Sequence, residues 1–327
     1  MEGPRRAVLR EIAEPPRAPG EVLVSVERVG ICGSDLAVFK GSRAAHYPLV
    51  MGHEAVGRIA DRGDSEHVPG SRVVIEPNIP CGRCDVCHRG HGNVCPQKRS
   101  LGMNCSGVFA ELVAVPAEFA HSVPAGIRIE DAVGIEPLAV ALHAVEAGAV
   151  SEGGNVTVIG CGAEGLLLVG VLVARGVRVT AADLRTDRLE MARNLGADTL
   201  VRVAADSAET ISAPVVFEAA GTTAALELAL RTVAPGGRVI ALGLGTLPVE
   251  LLPLDFVRRG LTLVGSLIYD HPVDFHRAMQ LVSHRRIQPS VLVSQVVDGL
   301  EALPSALSSL TSNDVGGKTV VRIRGNE

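Results

Sequence analysis

Between residues 21 and 120 the apolar positions fall in short Val-rich runs, EVLVSVERVG, AVGRIADRG, SRVVIEP and FAELVAVP, separated by Gly and Pro. Such runs predict short strands of an antiparallel, barrel-like domain. Within this stretch GICGSDLAVFK, residues 30–40, reads as a short polar turn between two apolar runs, and it holds an isolated cysteine, Cys32. A lone cysteine is ordinarily a small buried hydrophobe.

At about Glu136 the pattern changes. PLAVALHAVEAGA has helical spacing, and from there apolar runs alternate with helical patterns. NVTVIG, VRVTAAD, PVVFEAAG, RVIALGL and LTLVGS read as strands. AEGLLLVGVLVARG, RTDRLEMARNLGA and TTAALELALRTVAPGG read as helices, the last ending in its Gly pair. This alternation predicts a doubly wound parallel sheet with helices on both faces. After Tyr269, DFHRAMQLVSHRR and LEALPSALSSL read as helices and KTVVRI as a closing strand. There is no internal repeat.

Composition narrows this picture. The chain has 327 residues, enough for two domains. Hydrophobic residues make up 47% but aromatics only 2%, so a large core must be built mainly from Val, Leu, Ile and Ala. A net charge of −5 argues against a nucleic-acid partner, whose phosphates call for a basic excess. No apolar run approaches the roughly 18 residues of a membrane span, and MEGPRRAVLREIAEPP lacks the apolar centre of a signal peptide. The expectation is a soluble cytoplasmic protein with no membrane partner. Seven cysteines, four of them between residues 81 and 95, point in that setting to metal rather than disulfides.

Three constellations carry chemistry. In VIGCGAEG, Gly160, Gly162 and Gly165 have G-x-G-x-x-G spacing between a predicted strand and a predicted helix, with Ala163 and Glu164 in the first helical turn. The first glycine permits a tight turn, the second close approach of a pyrophosphate, the third packing of helix on strand. Phosphates then meet the N–H groups of the helix start. Asp183 closes the next strand, where an acid accepts hydrogen bonds from a ribose 2′-hydroxyl and repels a 2′-phosphate, favouring NAD over NADP. Arg185 and Arg188 follow, and either is long enough to reach a phosphate, so NADP stays open.

The second constellation, CGRCDVCHRGHGNVC, places Cys81, Cys84, Cys87 and Cys95 in C-x2-C-x2-C-x7-C spacing. Four thiolates close a tetrahedron around zinc and leave no open position, as in structural sites. The known iron–sulfur spacings differ. His88 and His91 are expected to face solvent. The third constellation is dispersed: Cys32, His53 with Glu54, and Glu136. Cysteine, histidine and carboxylate make a three-ligand zinc site with one open position if they meet in space. Spacing alone does not bring them together.

GICGSD, GHE, the four-cysteine lobe, EPLAV and GCGAEG stand in the order found in the zinc-dependent medium-chain dehydrogenases/reductases, the alcohol dehydrogenase superfamily, and the chain resembles the sorbitol, threonine and polyol dehydrogenases among them. The resemblance spans roughly residues 20–325. It implies a GroES-like β-barrel catalytic domain (1–136 and 269–327, with the zinc lobe at about 81–95) and a Rossmann NAD-binding domain (137–268). It implies two zinc ions per chain, a structural one on the four cysteines and a catalytic one on Cys32 and His53, completed by Glu136, Glu54 or water, with Glu136 ranked first. Asp35 is implied to act behind the metal. The implied reaction moves a hydride between a small secondary alcohol and NAD(P), giving the ketone, with Ser34 taking the hydroxyl proton. A homodimer or homotetramer is also implied.

The chain departs from the family pattern. Ala37 stands where many relatives carry the histidine that ends the proton relay, leaving His46, Tyr47 or water to replace it. Ile268, beside Tyr269, stands where sorbitol-type enzymes tend to carry an arginine, which favours a less polar alcohol. Two other readings compete: a zinc-free quinone or enoyl reductase on the same fold, and a non-catalytic NAD-binding sensor. Cys32, His53, Glu136 and the cysteine lobe weigh against both.

Overall fold

The computed structural model describes residues 1–204, 211–312 and 316–323. Two compact units emerge, Met1–Glu136 with Asp270–Glu327, and Pro137–Tyr269. In chain order the strands are β1 (Glu21–Ile31), β2 (Glu54–Asp61), β3 (Arg72–Ile75), β4 (Asn78–Ile79), β5 (Arg99–Ser100), β6 (Leu112–Pro116), β7 (Ala120–Ser122), β8 (Asn155–Ile159), β9 (Arg178–Asp183), β10 (Thr199–Arg202), β11 (Ala213–Glu218), β12 (Val233–Ala241), β13 (Thr262–Gly265), β14 (Val293–Asp298) and β15 (Lys318–Arg322).

In the first unit a seven-stranded sheet runs β14-β15-β1-β2-β3-β7, with β6 added on β1. All its pairings are antiparallel except β14 with β15. Strand β1 is its hub. Residues 21–25 pair with β6, residues 28–31 with β15, and most of its length with β2. A strand so surrounded has little exposed face, which is why Val22, Val24, Val26 and Val29 are all buried without strict alternation. Register shifts between Leu23 and Val24 and between Val26 and Arg28 mark bulges that bend it, as a closing sheet requires.

In the second unit six parallel strands run β10-β9-β8-β11-β12-β13. Numbered within the unit this is the doubly wound order 3-2-1-4-5-6, with β8 at the point where the order reverses. Strands covered on both faces read as continuous apolar runs. Val156, Val158, Val179, Val216, Phe217, Val239 and Ile240 are accordingly buried. Thr157, the polar exception, is satisfied by donating to the Ile211 carbonyl at 2.7 Å. Helices flank the strands, among them Ala163–Ala174, Thr186–Asn194 and Thr223–Thr232. Among the described residues no helix is long and apolar enough to cross a membrane.

Local differences from the sequence reading concern short elements. Residues 30–40 are not a turn. Cys32 is the extended N-cap residue of a helix, Gly33–Lys40, that ends on Gly41 in the left-handed region at φ 80°. The cap is tied by the Asp35 carboxylate, whose Oδ2 accepts from Cys32 N at 3.0 Å. The helix expected to run on to the pair Gly236 and Gly237 stops at Thr232, where Thr232 Oγ1 donates back to the Leu228 carbonyl and Val233 begins β12. Strands β10 and β14 and the helix Pro253–Arg258 carry too few consecutive apolar residues to stand out by pattern.

Candidate active site

The cysteine lobe is local in sequence and local in space. Cys84 Sγ lies 3.5 Å from Cys87 Sγ and 3.8 Å from Cys95 Sγ, and Cys81 Sγ lies 4.0 Å from Cys87 Sγ. A tetrahedron with Zn–S bonds of about 2.3 Å has edges of roughly 3.8 Å, so these sulfurs fit zinc. Left-handed glycines, Gly82 at φ 70° and Gly90 at φ 82°, fold the loop back on itself. The Arg83 backbone N–H brings the Cys81 thiol down to about 6, while burial pushes Cys87 up to about 12, the split expected of thiols close enough to share one charge. His88 and His91 are exposed and stand outside the donor set.

The dispersed constellation also converges, with one change. Donor atoms of Cys32, His53 and Glu54 lie within 4.8 Å of one another. Glu136, in the first turn of the helix Ile135–Gly148, is buried but does not belong to that set. The carboxylate that stands with Cys32 and His53 is thus Glu54, where the sequence reading ranked Glu136 first. The reason lies in β1. Gly30 faces Glu54 across the ladder, and a Cβ on Gly30 would overlap Glu54 Oε2. The missing side chain makes room for a carboxylate that is itself fully buried.

Lys318, on β15, forms an ion pair with Glu54 Oε1. Glu54 Oε2 is left buried without a partner. A buried carboxylate with one oxygen unpartnered, grouped with a thiol and an imidazole, suits a cation. His53 Nδ1 lies 3.3 Å from Asp35 Oδ1 but is not aligned for a hydrogen bond. Burial opposes a charge on the His53 ring, yet the adjacent Asp35 carboxylate prevails and raises its pKa well above the ordinary value. The same field favours a metal ion. Asp35 itself is fixed by Cys32 N at 3.0 Å and Gly52 N at 3.2 Å. Ser34 Oγ lies 3.3 Å from His53 Nε2. Tyr47 donates its hydroxyl to the Val38 carbonyl at 3.3 Å, and His46 is exposed.

In the second unit the glycine-rich turn follows β8. Gly160 has φ 92°, and a Cβ there would stand 2.6 Å from Ala220 N. A Cβ on Gly165 would collide with the Gly160 carbonyl oxygen. Gly162 instead meets nothing within 4 Å, so the N-terminus of the helix Ala163–Ala174 opens onto free space where a phosphate can approach. Asp183 ends the neighbouring strand. Its Oδ2 accepts from Cys161 N at 2.7 Å and its Oδ1 from Arg185 N at 2.9 Å, which orients the carboxylate beside the turn. Arg188 Nη1 lies 3.6 Å from Asp183, whereas Arg185 is held by Asp187. Burial pushes the Cys161 thiol up to about 12, so it is inert filling beneath the turn.

Two participants escaped the sequence reading. Lys318 lies 264 residues from its partner Glu54; its signal was a lone charge opening an apolar closing strand. Gly30 is a small residue at the end of a Val-rich strand, a sign of close approach by another group.

Comparison with known proteins settles the family. Residues 18–125 match the alcohol dehydrogenase GroES-like domain, and residues 163–284 match the zinc-binding dehydrogenase domain. The chain belongs to the zinc-type medium-chain alcohol dehydrogenases. It is 33% identical to the sorbitol dehydrogenase of Bacillus subtilis over 260 residues, 75% of this chain and 74% of that protein. A solved alcohol dehydrogenase (rspB) from Escherichia coli CFT073, in complex with NADH, superposes with a TM-score of 0.92 at 29% identity, covering 98% of this chain and 97% of that one. A zinc-binding dehydrogenase from Sinorhizobium meliloti 1021, bound to NADP, gives 0.88 at 31% identity over 96% and 95% of the two chains. The family membership makes the chain an alcohol dehydrogenase, a zinc-dependent oxidoreductase of small secondary alcohols that uses NAD(P). This sets aside the zinc-free reductase.

Proposed function

We propose that the chain oxidises a secondary alcohol or polyol with NAD, using a catalytic zinc on Cys32, His53 and Glu54 and a structural zinc on Cys81, Cys84, Cys87 and Cys95. The observation that carries this reading is the buried Glu54, one carboxylate oxygen of which lies within 4.8 Å of the Cys32 and His53 donor atoms while its Oε2 has no hydrogen-bond partner. Zinc bound there supplies the electrophilic pull that acidifies an alcohol hydroxyl. Asp35 holds the cap of the Cys32 helix and biases His53 through one carboxylate. Ser34 Oγ takes the hydroxyl proton. With Ala37 in place of the outer histidine and Tyr47 committed to Val38, the proton leaves to water. Glu136 remains a buried carboxylate outside the ligand set.

The coenzyme phosphates bind at Gly160, Gly162, Ala163, Glu164 and Gly165, and Asp183 faces the ribose. Its charge disfavours a 2′-phosphate, while Arg185, engaged by Asp187, is not free to welcome one. Ile268 adopts φ 49°, costly for a β-branched residue, next to the buried Tyr269. An apolar side chain there supports a less polar alcohol than a hexitol. Pairing of two copies fits the second unit, where β13 is the edge of the parallel sheet and Leu263, Leu254 and Val257 are exposed. Seven free thiols fit a reducing cytoplasm.

The test is NADH formation over a panel of secondary alcohols and polyols, with NADP in a parallel arm. Activity that a chelator abolishes and zinc restores supports the reading. Full turnover by protein stripped of metal contradicts it.

A further inference from the structure

Another buried carboxylate belongs to neither cysteine-containing donor set. Glu76, directly after β3, is fully buried. His121 Nε2, from β7, lies 2.6 Å from Glu76 Oε2, and His271 Nδ1 lies 2.7 Å from the same oxygen. The three donor atoms stand within 4.8 Å of one another. Glu76 Oε1 is buried and has no partner. Among the described residues no Lys or Arg pairs with Glu76. The negative charge is thus met by two imidazoles, and half the carboxylate goes unmet, an arrangement that costs free energy in a low-dielectric interior.

The rings are held from outside. His271 stacks on Phe119 with centroids 4.3 Å apart, and His121 stacks on Phe275 at 4.9 Å. Both nitrogens are thereby kept facing the carboxylate. The His271 side chain is 25% exposed, which opens a path from solvent. Donor separations of 2.6 and 2.7 Å are those of hydrogen bonds, so protons bridge the cluster as it stands. Metal–nitrogen distances of about 2.0–2.1 Å with tetrahedral angles place donors roughly 3.3 Å apart. A small rotation of the partly exposed His271 ring provides that opening, and each imidazole frees its nitrogen by moving the proton to the other one.

We propose that Glu76, His121 and His271 form a third, sulfur-free site for a divalent transition cation. Two imidazoles and a carboxylate match zinc, cobalt or nickel and do not match calcium or magnesium. The cation ties the helix Val273–Ser283, which follows His271, to strands β3 and β7. It bridges segments separated by 195 residues and takes no part in hydride transfer.

Cobalt added to enzyme prepared with two zinc ions per chain, enough for the two cysteine-containing sites alone, reads this directly. The wild type is expected to take up one equivalent with d–d absorption and no thiolate-to-cobalt charge transfer, because no sulfur is present. His271→Ala should weaken that uptake at least about tenfold, as loss of a metal ligand does, while its dehydrogenase activity stays at the wild-type level. His271→Gln, which keeps a polar side chain, guards against misfolding and should lose the uptake equally. No sulfur-free cobalt signal in the wild type, or equal uptake by wild type and both variants, overturns the proposal. Both outcomes are independent of whether the cysteine-containing sites are assigned correctly.

Discussion

Gly30 and Glu54 face each other across the β1–β2 ladder, and the carboxylate of Glu54 fills the space that a side chain on Gly30 would occupy. Gly30→Ala is therefore expected to push Glu54 away from Cys32 and His53. We predict a catalytic-zinc affinity lower by about 10–100-fold, the usual effect of disturbing groups that orient a ligand. The cysteine-lobe zinc should stay. Zinc content during dialysis against a graded chelator, followed alongside kcat/KM, checks this.

The Lys318–Glu54 pair is buried on both sides. Removing one partner of such a pair strands the other charge in the interior, at a cost of roughly 3–5 kcal/mol. Lys318→Met should lower the folding free energy by about that amount in urea unfolding, and Lys318→Arg by much less. Equal stability of the Met variant and the wild type would remove the pair from the account.

How much of this was legible in the sequence follows from how local each feature is. The glycine turn and the cysteine lobe span eight and fifteen residues, so spacing displayed their chemistry before any fold was known. The alternation after Glu136 displayed the doubly wound sheet for the same reason. The proposed choice of Glu54 over Glu136 was not legible. It depends on a cross-strand vacancy at Gly30 and on a lysine from the last strand, which only tertiary structure brings together. The helix at Gly33–Lys40 was hidden because its first turn is polar, yet Asp35 three residues after the cap was the sign of a helix start.

The proposed preference for NAD rests on Asp183. Asp183→Asn keeps an acceptor for one of the two N–H groups that meet the carboxylate, Cys161 N or Arg185 N, and turns an NH2 toward the other, but it removes the charge that repels a 2′-phosphate. Like-charge juxtaposition costs kilocalories, so kcat/KM with NADP should rise at least about tenfold relative to NAD. An unchanged ratio would show that another group makes the discrimination.

Glu218, at the end of β11, is raised above the ordinary carboxylate pKa by burial, against the opposing effect of hydrogen bonds from Gly221 and Ala220 N–H groups. A carboxyl raised in the folded state binds protons more readily folded than unfolded. Its contribution to stability is full below the unfolded pKa and is lost as pH rises through the folded one. Glu218→Gln should therefore be more stable than the wild type at about pH 7–8, and the advantage should vanish in acid. Thermal midpoints across that pH range decide it.

The central claim is the identity of the carboxylate that joins Cys32 and His53. Zinc per chain, measured by mass spectrometry on purified Glu54→Ala and Glu136→Ala, tests it most directly. The account predicts one zinc fewer than wild type in Glu54→Ala and an unchanged content in Glu136→Ala. Loss of zinc from Glu136→Ala with full retention in Glu54→Ala would contradict it.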